Sequence, residues 1–178
     1  MRTSLVLTVV GNDRPGLVST LSDTIAAFEG NWTETRMASL GGKFAGILLV
    51  TVPQTQADAL IGALRKLEAQ WLHLVIERSA AEASPGGSRL LELELVGQDR
   101  PGIVRDISRL LAERGVNIED LETACVSGSF SGETLFKAQA RLRVPRELAT
   151  AGLRALLETL ANELMVDVSL DEAAAHDD

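Results

Sequence analysis

One octet occurs twice in this chain: Gly11-Asn12-Asp13-Arg14-Pro15-Gly16-Leu17-Val18 returns as Gly97-Gln98-Asp99-Arg100-Pro101-Gly102-Ile103-Val104, 86 residues on. At the same offset Ser22 meets Ser108, Ala26 meets Ala112 and Asn31 meets Asn117. A repeat that runs on past a loop marks two copies of one supersecondary unit, so any proposed fold has to be legible twice. Each copy places G-x-D-R-P-G between an apolar, strand-like run and a helix-like stretch. Backbone N–H groups at the start of such a helix hold anions, which points to a binding module before a catalyst.

The periodicities fill in the unit. Leu5, Leu7 and Val9 alternate with Val6, Thr8 and Val10 as in a strand, while Leu17, Leu21, Ile25 and Phe28 recur at helical spacing. Two extended runs follow, Trp32 to Leu40 and Phe44 to Val52, joined by Gly41-Gly42 as a two-residue hairpin turn. Helical spacing returns at Ala57, Leu60, Ile61, Leu64 and Leu67, and Leu72, Leu74 and Ile76 alternate as a last strand. The order is βαββαβ. The second copy repeats it over Leu90 to Val96, Pro101 to Arg114, Asn117 to Val126, Thr134 to Val144, Arg146 to Asn162 and Leu164 to Leu170. Expected boundaries are 1–79 for the first domain, 80–89 for an Ala/Ser/Pro/Gly-rich linker, 90–171 for the second domain and 172–178 for an acidic tail. The fold class is α+β: two tandem ferredoxin-like sandwiches, each with two helices on one face of a four-stranded antiparallel sheet.

Such a sandwich leaves one sheet face open. In the second copy that face reads as solvated, with Glu92 and Glu94 opposing Lys137, Gln139, Arg141 and Arg143 on the neighbouring strand. The first copy instead presents Val6, Thr8, Val10, Ala45, Ile47, Leu49 and Thr51, an apolar surface that calls for a cover. A homodimer is expected, or failing that the first domain packing on the second.

Charge narrows the partners. The net charge is -8, and residues 81–178 carry ten basic and eighteen acidic residues against seven and seven in residues 1–80. No Lys/Arg cluster exceeds Arg65-Lys66, which argues against direct nucleic-acid binding. Cys125 is the only cysteine, so neither a disulfide framework nor a cysteine-rich zinc site is available. The run Leu5 to Val10 is too short for a signal or membrane segment, and a cytoplasmic protein is expected.

The twin octets in their strand-helix context resemble the ACT domain, a βαββαβ ligand-sensing module of amino-acid metabolism. Two D-R-P-G copies without a third domain resemble the glycine cleavage system transcriptional repressor family. Related copies begin formyltetrahydrofolate deformylase and the nitrogen-sensing uridylyltransferase, whose catalytic domains have no counterpart here. The resemblance implies a regulator that senses an amino acid such as glycine or serine through the loop after the first strand. It further implies action by contact with a transcriptional activator, with no helix-turn-helix of its own. Alternatives are a ligand-independent interaction module and a detached regulatory subunit of an enzyme such as the deformylase.

The candidate ligand-binding residues are therefore Gly11, Asn12, Asp13, Arg14, Gly16 and Leu17, with Gly97, Gln98, Asp99, Arg100, Gly102 and Ile103 in the second copy. An Asp carboxylate beside Asn12 or Gln98 suits a ligand ammonium, helix N–H groups suit its carboxylate, and Arg14 or Arg100 can pair with it. Each has a plainer account. The glycines and prolines make a tight strand-to-helix turn, the Asp caps the helix, and the Arg is solvated. Asn31 and Asn117 read as turn residues. His73 and His176 have no neighbouring ligands, and Cys125 has no adjacent base and reads as packing. No catalytic or cofactor fingerprint is present, so neither an enzyme nor a cofactor is expected. The second copy also gains six residues near Ser127 to Gly132, centred on Phe130, which suits a lid, a partner contact or a tolerated insertion.

Overall fold

The computed structural model describes residues 1–68, 72–79, 87–127 and 134–173. The chain divides into two compact units, Met1–Ser84 and Pro85–Asp178. The first holds β1 (Arg2–Asn12), α1 (Leu17–Ala26), β2 (Asn31–Leu40), β3 (Lys43–Pro53), α2 (Ala57–Glu68) and β4 (Leu72–Ser79). The second holds β5 (Ser88–Gln98), α3 (Ile103–Glu113), β6 (Asn117–Ser127), β7 (Thr134–Pro145), α4 (Thr150–Leu164) and β8 (Val166–Glu172). Strand orders are β2-β3-β1-β4 and β6-β7-β5-β8, antiparallel throughout. The ferredoxin-like sandwich is thus built twice.

Alternation and helical spacing produce the cores. Leu5, Leu7 and Val9 on β1 and Leu48, Val50 and Val52 on β3 are buried against Leu21 and Ile25 of α1 and Leu60 and Leu64 of α2. The second core repeats this with Leu91, Leu93 and Leu95, Ala140, Leu142 and Val144, Ile107 and Leu111, and Leu153 and Leu157. Each large aliphatic side chain removed from water contributes about 1.5–3 kcal/mol, so the twelve Leu, Ile and Val positions among the described residues of the smaller cluster suffice for an ordinary small domain. No polar or charged residue is fully buried among the described residues.

Turn chemistry explains several boundaries. Gly41 and Gly42 take φ of 58° and 75°, the paired positive values that a primed hairpin turn requires. The left-handed residues after the first helix of each copy are Glu29 (φ 56°) and Gly115 (φ 68°), again 86 apart. Asn31 and Asn117 instead open β2 and β6. Helix α4 begins four residues after the expected Arg146, because Arg146 N–H donates to Gly87 O at 3.0 Å and Leu148 N–H to Pro145 O at 3.2 Å in a preceding turn. Of the stretch expected as a linker, residues 80–86 lie outside the described residues, while Ser88 and Arg89 open β5. The inserted segment 128–132 and His176 also lie outside them.

The open faces differ as their sequences do. In the second sheet Glu92 pairs across to Arg141 and Glu94 to Gln139, whose Nε2 donates to Glu94 Oε1 at 2.9 Å. In the first sheet the same rows are Val6 with Leu49 and Thr8 with Ile47, followed by Val10 with Ala45. Ile47 is 56% exposed and Val75 59% exposed on that face.

Candidate functional site

Each octet leaves its strand, turns, and enters a helix on a left-handed glycine. Gly16 (φ 90°) is the N-cap of α1 and Gly102 (φ 101°) the N-cap of α3, and no side chain caps either helix. The Asp side chains therefore do not cap. The prolines precede the caps instead of opening the helices. At Gly16 the carbonyl accepts both the N–H and the Oγ1 hydroxyl of Thr20 at 2.9 Å.

The β2–β3 and β6–β7 hairpins hold the loops. Asp13 N–H donates to Gly42 O at 3.0 Å, and Asp99 N–H donates to Thr134 O at 2.9 Å. Asp13 Oδ2 accepts the Ser39 hydroxyl at 2.5 Å, and Asn12 Oδ1 accepts Lys43 Nζ at 2.5 Å. In the second copy the residue 86 positions beyond Ser39 is Cys125, and it hydrogen-bonds to Asp99. Desolvation, and then the Asp99 carboxylate, push the Cys125 thiol up from its ordinary range. Cys125 is exposed, which corrects its reading as a packing residue. Ser39, Lys43 and Cys125 were missed from sequence as neighbours of the loops, because strand pairing across the hairpins brings them there.

The structure distributes the candidate residues unevenly. Asn12, Asp13, Arg14 and Gly16 are exposed together at one end of the first sheet, and Gln98 and Asp99 occupy the matching place in the second. Leu17 and Ile103 are 3% and 2% exposed core residues, so only their backbone N–H groups face the loops. Gly11 and Gly97 still belong to strands. A Cβ on Gly97 would fall 2.6 Å from Val166 Cγ1 and 2.7 Å from its Cα, so close approach of β8 requires that glycine. Arg100 reaches Glu163 O at 3.4 Å, at the last turn of α4.

The second loop carries more charge than the first. Arg105 Nε donates to Asp106 Oδ1 at 2.8 Å and its Nη2 to Oδ2 at 3.3 Å. That contact, aided by Arg100 and Arg109, holds the Asp106 carboxyl below the usual carboxylate range. Asp106 lies in the first turn of α3, whereas α1 has no acidic residue there. Two shallow depressions of about 240 and 390 Å³ open on the second sheet's solvent face, lined by residues such as Glu92, Glu94, Glu122, Lys137 and Arg141. No octet residue lines either one. Among the described residues no group of three or more His, Cys, Asp or Glu is placed to hold a metal ion, and no helix is long and apolar enough to cross a membrane.

Tandem βαββαβ sandwiches with a polar, glycine-capped loop at the same place in each define the class of fold. The ACT domain model matches residues 3–75 and 89–171, and the chain belongs to that family, in two copies. Its sequence is similar to the glycine cleavage system transcriptional repressor of Escherichia coli (strain K12), 26% identical over 173 residues that cover 94% of this chain and 88% of the relative. A crystal structure of an unknown protein from Galdieria sulphuraria is similar over 98% of this chain and all of its own, with 33% identity and a TM-score of 0.86. A crystal structure of a putative glycine cleavage system transcriptional repressor shares the fold, with 20% identity and a TM-score of 0.70 over 98% and 99% of the two chains.

Proposed function

We propose that this protein is a non-enzymatic regulator that binds a small amino acid such as glycine or serine at its octet loops and controls amino-acid or one-carbon metabolism through contact with a transcription factor. The observation that carries the reading is the pairing of two ACT domains with similarity to a transcriptional repressor across nearly the whole of both chains. The chemistry of the loops supports it. The first-turn N–H groups of α1 and α3 have no side-chain cap, so they remain suited to a ligand carboxylate. Asp13 and Asp99 supply carboxylates for an ammonium within the same turns. A net charge of -8 directs action toward a protein partner instead of nucleic acid, and a cytoplasmic location fits that role.

A thermal-shift screen against the twenty amino acids, followed by calorimetric titration of the strongest hit, tests the reading. Asp13→Ala and Asp99→Ala each remove one charge-assisted contact and are expected to weaken binding about tenfold. Unchanged affinity in both single variants and in the double variant removes the loops as the site. If no amino acid binds, the chain is a ligand-independent interaction module. Co-purification then reads the second half of the proposal: a transcription factor supports it, while a metabolic enzyme identifies a detached regulatory subunit.

A further inference from the structure

On the helix side of each sheet, cross-strand rows step away from the octet, and the two domains fill them differently. In the second domain the rows are Gly97, Phe136 and Cys125, then Leu95, Ala138 and Thr123, then Leu93, Ala140 and Leu121. In the first they are Gly11, Phe44 and Ser39, then Val9, Gly46 and Met37, then Leu7, Leu48 and Thr35. Successive rows on one face are about 6.8 Å apart. Met37 Cγ occupies the space that a Cβ on Gly46 would need, and Leu48 is buried in the row beyond, so the first domain is filled beside its loop. In the second domain Ala138 and Ala140 stand at those two places, and Leu121 is 43% exposed. An apolar cleft of about 20 Å³ is left between α3 and β6.

We infer that this cleft receives the side chain of an amino acid held at the second octet loop, so that the second domain selects a short branched aliphatic side chain, with valine as the type, where the first takes glycine or serine. The inference rests on the reading above that the octet loops bind amino acids, and it narrows the ligand of one of them. Val104 joins the two features. Its backbone N–H lies in the uncapped first turn of α3, which suits a ligand carboxylate, and its side chain lines the cleft. Ile107, Leu111, Leu121, Ala138 and Ala140 extend the apolar wall. The one polar side chain in that lining, Ser108, donates its hydroxyl to Arg105 O at 3.1 Å.

Size and polarity choose the occupant. A water molecule needs about 10–15 Å³ of such space and several polar partners. The cleft holds one or two spheres of that size and offers side chains that are apolar or already paired, so it disfavours water and suits the two methyl groups of an isopropyl side chain. A longer or ring-bearing side chain overfills it. The hydroxyl of serine would enter it without a partner. In the first domain Met37 and Leu48 take up the corresponding volume, which leaves a loop suited to an amino acid with little or no side chain.

Calorimetric titration of the full chain with glycine, valine and leucine tests it. Valine is expected to bind about tenfold more tightly than glycine, and leucine less tightly than valine. Asp99→Ala is expected to weaken valine about tenfold, which assigns that binding to the second loop. Two variants copy the first domain's side chains into the cleft: Ala140→Leu, and Thr123→Met combined with Ala138→Gly. Each is expected to fill the cleft and erase the preference for valine over glycine. Thr123 is exposed, so the second variant keeps the test open should Ala140→Leu overpack the core. Far-UV circular dichroism establishes that each variant is folded. Failure of every amino acid to bind overturns this inference together with the octet reading. Glycine binding with valine no tighter, or a preference for valine that survives both filling variants, overturns this inference alone.

Discussion

The two domains share an interior and differ in what they show to water. Leu5, Leu7 and Val9 correspond to Leu91, Leu93 and Leu95 at an offset of 86, and all six are buried. The residues between them, Val6 and Thr8 against Glu92 and Glu94, face outward and are chemically opposed. Because side chains alternate strictly across a strand, one set specifies the sandwich and the other is left open to diverge. The lesson is that a duplicated domain becomes two different tools without changing fold. The first sheet shows an apolar outer row where the second shows a charged one.

The largest expected effects probe the interiors. The two core clusters share no residue, so the domains should melt as separate units. Leu7→Ala and Leu93→Ala remove residues that are 0% and 2% exposed and are each expected to cost about 3 kcal/mol. Differential scanning calorimetry should show only the transition of the altered domain moving. A single transition shifted equally by both variants would mean the domains fold as one. A smaller effect, about 2 kcal/mol, is expected from Gly97→Ala, since its Cβ would meet Val166 and Met165 O within 2.8 Å. The caps come next. Gly16→Ala forces an L residue to φ 90° and is expected to cost about 1 kcal/mol, with nothing within 4 Å to obstruct the methyl. Gly102→Ala should cost more, because Arg105 Nη2 lies 3.1 Å from that Cβ position and would have to swing aside.

Much of this architecture is legible in the amino-acid sequence. The alternation on β1 and β5, the Gly41-Gly42 turn and the twin helices were all readable, because burial and turn chemistry leave strong local periods. Helix starts were harder. The octet reads as an Asp-capped, Pro-initiated helix, yet the left-handed Gly16 and Gly102 make the turn. The neighbours of the loops were illegible for a different reason. Ser39 and Lys43 reach Asp13 and Asn12 across a hairpin, a contact created by strand pairing, with no local signal to announce it.

Acid should distinguish the two helix starts. The depressed folded-state pKa of Asp106, caused first by the Arg105 hydrogen bond, means that its contribution is present above the unfolded carboxyl pKa of about 4 and is lost as pH falls through the folded value. Helix α1 has no first-turn acid to lose. Asp106→Asn should therefore flatten the acid limb of the second domain's melting temperature while leaving the first domain's limb unchanged. An identical acid limb in wild type and variant would show that the Arg105–Asp106 pair is too solvated to matter.

The smallest effect concerns the one substitution that separates the two hairpin contacts, Ser39 in the first domain and Cys125 in the second. A hydroxyl and a thiol donate to equivalent carboxylates, Asp13 and Asp99, so Cys125→Ser is expected to leave stability within about 0.5 kcal/mol. Titration is where the two differ. Desolvation and then Asp99 raise the Cys125 pKa, so the protonated thiol is favoured in the folded state. Any stability this lends is present below the unfolded thiol pKa of about 8.5 and is lost as pH rises through the higher folded value. Only the thiolate attacks an alkylating reagent, so modification of the native protein by iodoacetamide should be slow at neutral pH and rise with a midpoint above 8.5. Asp99→Asn removes the carboxylate and should bring that midpoint down while preserving the shape of the loop. Should the midpoint of the wild type fall at or below that of a free thiol, Asp99 does not govern Cys125, and the parallel between the two hairpins ends at their backbones.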